Sequence, residues 1–131
     1  MTEDQLEQET LGWLQEQGYR HVFGPDIAHD GSQPERSSYR DVLLVGRLAS
    51  AIECLNPQIP LAARDDALAQ IRDIGTPALL GANRQFHKLL CTGVPVQYQR
   101  DGETIGDFVQ LIDWANPASN DWLAVNQFTL Q

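Results

Sequence analysis

Lysine is nearly missing from this chain. Lys88 stands alone beside eight arginines, in a formal net charge of −9, and no run of basic residues occurs. Duplex nucleic acid repels such a surface unless positive charge is gathered locally, so these residues by themselves are expected to bind nucleic acid weakly or not at all. Long apolar runs are missing too. The longest fall far short of the roughly 20 residues of a membrane span. The acidic, glutamine-rich start, TEDQLEQE, is the opposite of a secretory signal. Two cysteines, Cys54 and Cys91, make neither a disulfide framework nor a metal-binding spacing. A cytoplasmic protein with no membrane partner is the simplest expectation. Neither G-x-x-x-x-G-K-[ST] nor G-x-G-x-x-G is present, which disfavours nucleotide binding within these residues.

What remains is ordinary globular material: 131 residues, 42% hydrophobic and 21% charged, read as a single domain over residues 1–131. Thr2 followed by Gln5 reads as a capping box, and a helix runs from there to about Gln17 with Gly18 as its stop. Residues 19 to 37 form a loop rich in Gly, Pro, Asp and Ser, with a weak strand signal at Tyr19–Phe23. Ser37 or Ser38 is expected to cap a second helix that Asn56-Pro57 ends. A third helix starts near Pro60, and a fourth, with Thr76 as N-cap and Pro77 at its first position, ends at Gly93. The period then changes from helical to alternating. Val94, Val96 and Tyr98 form a strand, Asp101-Gly102 a turn, and Thr104 to Trp114 the returning strand. A turn at Asn116-Pro117 leads to a last strand, Trp122 to Leu130. The expected class is α/β for a complete domain and α+β for these residues: helices first, then an antiparallel strand meander.

The last strand stops with Val125, Phe128 and Leu130 still calling for burial, and no cap or polar tail follows. The expectation is that these residues are the front part of a longer protein, with a strand edge open to self-association.

Glu7 is the candidate of most chemical interest. At about 100° per residue, Leu6, Thr10, Leu14 and Leu11 trace an inward arc, and Glu7 falls inside it. A carboxylate there is costly unless paired, hydrogen-bonded or bound to metal, and periodicity alone favours a boundary acid that reaches water or an arginine. His87 and Cys91 stand four apart on a helix with no third ligand, which reads as a core-edge imidazole and a buried thiol. Asp26, His29 and Asp30 read as a solvated loop cluster, and Trp114 and Trp122 as aromatics that close the end of a sheet. No acid and histidine accompany either cysteine, which disfavours nucleophilic catalysis.

A metal-dependent nuclease centre of the PD-(D/E)xK kind needs an acid, a second acid, and a lysine two residues beyond it on adjacent strands. Lys88 is on a helix and Phe86 stands two residues before it, so that motif cannot be completed here.

Four segments nevertheless carry one resemblance. TEDQLEQETLGWLQEQGY, RSSYRDVLLVGRLASAIECLNP, NRQFHKLLCTGVPVQYQRDGE and LIDWANPASNDWLAVNQFTLQ follow in an order and spacing that resembles the N-terminal region of type I restriction enzyme R subunits. The last segment is the most specific. The resemblance implies a restriction-endonuclease-like domain whose next strands supply Arg-Pro-Asp and then Glu-x-Lys. It implies magnesium-dependent, ATP-coupled DNA cleavage by the whole subunit, with translocase domains further along and modification and specificity subunits as partners. It also implies that Glu7 is the opening-helix acid beside the metal centre, an auxiliary catalytic residue. Asp113, Asn116, Asn126 and Gln127 match family positions and read as turn and sheet-edge residues. The alternative is a standalone interaction domain that binds restriction-complex partners without cutting. A stop codon directly after Gln131 would favour that alternative; Arg-Pro-Asp and Glu-x-Lys codons would favour the first reading.

Overall fold

Thr2 and Gln5 do form the capping box of α1 (Glu3–Glu16): the Gln5 N–H donates to Thr2 Oγ1 at 3.2 Å, and the Thr2 N–H to Gln5 Oε1 at 2.9 Å. The chain leaves the helix through Gly18 at φ +99°, a left-handed conformation that glycine adopts without a Cβ penalty. The computed structural model describes residues 1–74 and 79–130. The expected cap at Thr76-Pro77 lies outside them. The chain divides into two compact units, Met1–Val45 with Asp121–Gln131, and Gly46–Asn120.

In the first unit, α1 is followed by β1 (Arg20–Phe23), one turn of helix α2 (Gly24–Ile27), and a long loop. The strand at the far end of the chain, here labelled β4 (Leu123–Asn126), returns to this unit and pairs with β1 in parallel, from Arg20↔Leu123 to Phe23↔Asn126. This corrects the expected order of helices followed by one antiparallel meander. Parallel neighbours cannot be joined by a tight turn and need a long crossover. Here residues 24–122 supply it. The last strand is also shorter than its apolar pattern suggested, because Gln127 takes φ +54° and breaks the extended run. Beyond it, Phe128 is covered by the Arg36 guanidinium at 3.9 Å from the ring centroid, while Leu130 is 57% exposed.

The face that α1 buries also differs from the helical-wheel reading. Leu6 is 51% exposed, and Thr10 is exposed with its hydroxyl donating back to the Leu6 carbonyl. Burial follows Glu7, Leu11 and Leu14 instead, spaced i, i+4, i+7. With Trp13 also 57% exposed, the helix has too few apolar residues to fix its own rotation. Contact with β1 and β4 decides it.

The second unit holds most of α3 (Val45–Leu55), then α4 (Leu61–Arg72), α5 (Leu79–Thr92), and the antiparallel hairpin β2 (Val94–Arg100) and β3 (Glu103–Val109). Asp101 and Gly102 turn the hairpin with φ of +52° and +79°, the two positive values of the tight turn that matches strand twist. α4 packs on β2, and its buried Ala63, Ala67 and Ile71 join Ile52, Ile59, Val94, Val96, Val109 and Leu111 in the core. The second helix starts later than expected, at Val45. Ser37 and Ser38 do not cap it; they hold a turn, with the Ser37 N–H and hydroxyl donating to Asp41 and the Arg40 N–H to Ser38 Oγ. Those bonds to Ser37 hold the Asp41 carboxyl below its ordinary pKa.

Asn56 does more than end α3. It is 1% exposed; its Nδ2 donates to the carbonyls of Ile52 and Gln110, and its Oδ1 accepts from the Gln110 N–H at 2.8 Å. One buried amide thus terminates a helix and satisfies the strand end beyond Val109.

Candidate functional site

The carboxyl ends of parallel strands are where open α/β sheets place their sites, because the strand ends and following loops leave a crevice there. In this chain Phe23 and Asn126 are the paired last residues of β1 and β4. Side chains of a strand alternate faces, and paired residues share one, so His21, Phe23, Ala124 and Asn126 belong to the same face. Glu7 of α1 meets that face at its carboxyl end. Asn126 Nδ2 donates to Glu7 Oε1 at 2.6 Å, and Gln127 Nε2 spans both carboxylate oxygens at 3.2 and 3.0 Å. On its other side, Asn126 Oδ1 lies 2.7 Å from His21 Nε2.

Glu7 is therefore half-buried with amide donors on both carboxylate oxygens, where periodicity favoured a boundary acid reaching water or an arginine. The neutral donors compensate the desolvated carboxylate without cancelling its charge. Two backbone features make this arrangement fit. Gln127 sits at φ +54°, a costly conformation for a residue with a Cβ. Gly24 lies beneath the same turn, where a Cβ would overlap the Asn126 and Gln127 carbonyls. Glycine there lets the two backbones approach.

Of the other sequence candidates, Asn126 and Gln127 join this cluster and Asp113 and Asn116 do not. Asp113 and Asn116 lie in the second unit as the turn residues they were expected to be. Asp113 Oδ1 accepts from the Ala115 and Asn116 N–H groups, Asn116 Nδ2 donates to Ser119, and Asn120 Oδ1 accepts from the Asp113 N–H. Asn126 and Gln127 do lie at a strand end, and the structure adds their bonds to Glu7. His21 was missed, because a single imidazole in a four-residue strand carries no pattern of its own.

His87 and Cys91 approach to 3.5 Å, but Cys91 is exposed, which corrects the expected buried thiol. The inner side of α5 runs through Phe86, Leu89 and Leu90, and positions 87, 88 and 91 fall opposite. Asp26, His29 and Asp30 are exposed as expected; His29 packs edge-on to Tyr39, whose hydroxyl donates to Asp30 and is pushed to higher pKa by that bond. Trp122 packs on Tyr19 at 5.7 Å, whereas Trp114 is 57% exposed and closes no sheet, since β3 has already ended at Val109.

Three of the arginines are engaged within the protein. Arg20 pairs with Asp121, Arg36 is buried against Phe128 and donates to the Thr129 and Asp41 carbonyls, and Arg100 donates to Gln58. No cluster of three or more His, Cys, Asp or Glu side chains fit to hold a metal occurs among the described residues. Magnesium takes a near-octahedral shell of oxygens. Glu7 offers the right kind of donor for one corner of such a shell, directly or through water, and the described residues do not complete it.

The geometry sets an opening-helix acid at the carboxyl end of a parallel strand pair, and the comparison with known proteins decides what kind of chain this is. The family model described as type I restriction enzyme R protein N terminus matches residues 1–131. The chain belongs to that family. It is 35% identical over 133 residues to the type I restriction enzyme HindI endonuclease subunit of Haemophilus influenzae, covering 100% of this chain and 12% of that protein. It is 29% identical over 126 residues to the putative type I restriction enzyme MjaIXP endonuclease subunit of Methanocaldococcus jannaschii, covering 96% of this chain and 12% of that protein. This R-protein N-terminal chain thus spans 12% of the length of either relative. No solved structure matches it. No helix among the described residues is long and apolar enough to cross a membrane.

Proposed function

We propose that these residues are the opening part of the nuclease domain of a type I restriction R subunit, and that the domain is restriction-endonuclease-like. The observation that carries the reading is the placement of Glu7 at the carboxyl ends of β1 and β4, held there by Asn126 and Gln127. Both relatives are called endonuclease subunits, and each is several times longer than this chain. The complete subunit cuts DNA with magnesium and ATP in the cytoplasm, alongside modification and specificity subunits. The metal-binding acids and the lysine come from strands beyond Gln131. Glu7 is the auxiliary acid, and its negative charge would stand beside the metal that those residues would hold. Through its two amide partners the acid keeps one orientation while DNA arrives.

The 131 residues alone are inactive, because Lys88 is on a helix with Phe86 two residues before it. Supercoiled plasmid is the test. An R subunit that continues this chain through Arg-Pro-Asp and Glu-x-Lys strands cuts it with magnesium and ATP, and the 131-residue chain leaves it intact. Cleavage that co-purifies with the short chain and survives Lys88→Ala would contradict the proposal.

A further inference from the structure

The Glu7 cluster does not stop at the residues that touch the acid. A carboxylate only accepts hydrogen bonds, so Asn126 must turn its Nδ2 toward Glu7, at 2.6 Å, and its Oδ1 away. That oxygen then faces His21 Nε2 at 2.7 Å. Two acceptors would repel at that distance, so His21 Nε2 must carry a proton. The three side chains form a directed chain in which each bond fixes the sense of the next.

The backbone that carries the second donor to Glu7 is constrained as well. Gln127, the second donor to Glu7, is held in left-handed backbone, and Gly24 packs so close beneath it that a Cβ would overlap the Asn126 and Gln127 carbonyls. Backbone held in a sparsely populated conformation, over-determined by its surroundings, is a mark of functional sites.

We propose that His21 is a positioning residue for Glu7: as an Nε2–H donor it locks the Asn126 amide, so that Asn126 together with Gln127 holds the carboxylate in one orientation. The proposal rests on Glu7 being the auxiliary acid of a nuclease site. His21 touches neither substrate nor metal; it acts through Asn126.

Ring-nitrogen NMR of the 15N-labelled 131-residue chain at alkaline pH tests the lock itself. His21 is expected as a single Nε2–H tautomer, relaxing toward a free-imidazole mixture in Asn126→Leu. An Nδ1–H ring, or a free-imidazole mixture in the parent, overturns the proposal.

Cleavage by the assembled R subunit tests its consequence. His21→Leu lowers the rate about fivefold, the worth of one hydrogen bond of orientation. His21→Gln restores most of it, because its amide keeps a donor near the Nε2 position. Equal loss in the Leu and Gln variants overturns the lock. If Glu7→Gln reduces cleavage and His21→Leu does not, the positioning role fails while the acid's role stands. If Glu7→Gln has no effect, the underlying reading fails and takes this proposal with it, even where the tautomer is as expected.

Discussion

Glu7→Gln in the R subunit is expected to slow DNA cleavage by roughly 10- to 100-fold, the range seen when a group supporting a metal centre is altered. The substitution keeps the shape of the side chain and removes its charge. It also disturbs the local bonding: a carboxylate accepts at both oxygens, and Gln127 uses both. A glutamine has one acceptor and one donor, so one contact with Gln127 becomes donor against donor. ATP hydrolysis and thermal stability should change little, since Glu7 is half-buried at the end of a sheet and not in a core. Glu9→Gln is the control. Glu9 lies on the same helix and is exposed, so its substitution should leave cleavage near the parental rate. Plasmid cleavage assays on the two variants, run with ATPase assays, check this. Equal behaviour of the two would reduce Glu7 to a helix-surface acid.

The second large effect is on stability. Asn56→Ala is expected to destabilise the chain by about 3 kcal/mol, because two of the groups it leaves, the N–H and carbonyl of Gln110, lose buried partners at about 1–3 kcal/mol each. The midpoint of thermal unfolding should fall by about 10 °C. Asn116→Ala, an exposed turn residue bonded to Ser119, should stay within about 0.5 kcal/mol of the parent. Thermal denaturation followed by circular dichroism separates the two. Similar midpoints for both variants would mean that Asn56 is no more than a helix terminator.

Asn56 also illustrates what a sequence can and cannot convey. Followed by Pro57, it is legible as a helix end, because that information is local: a proline forbids the helical conformation before it. The three bonds that Asn56 makes to Ile52 and Gln110 are not legible, because two of them depend on a residue 54 positions away. The same division holds elsewhere. Thr2 with Gln5, Gly18, and Asp101-Gly102 are short-range signals, and each does in the structure what its pattern implies. Ser37 and Ser38 mislead for an equally local reason, since side chains that cap helices also stabilise turns. The parallel pairing of β1 with β4 is invisible to any local pattern. Both strands have four residues, and their partnership is set by a crossover of residues 24–122.

The site follows the same rule. Glu7 is conspicuous as an acid on an inward face, although the arc through Leu6 and Thr10 is rotated from the face that α1 buries. The resemblance of the opening helix implies an auxiliary role for Glu7, and that of the last segment points to Asn126 and Gln127. It did not bring the three together, and it left out His21. Only the parallel register sets His21 and Asn126 on one face, where α1 can deliver Glu7 to them.

Localised oxidation tests the central claim, that this segment supplies the acid beside the nuclease metal. Ferrous iron takes oxygen and imidazole ligands and can replace magnesium in a carboxylate site, where ascorbate and peroxide then cut the nearby backbone. In the complete R subunit, loaded with iron and mapped by mass spectrometry, the account predicts chain scission within a few residues of Glu7 and of Asn126–Gln127, suppressed by excess magnesium. Scission confined to other parts of the subunit, with residues 1–131 left whole, would contradict it.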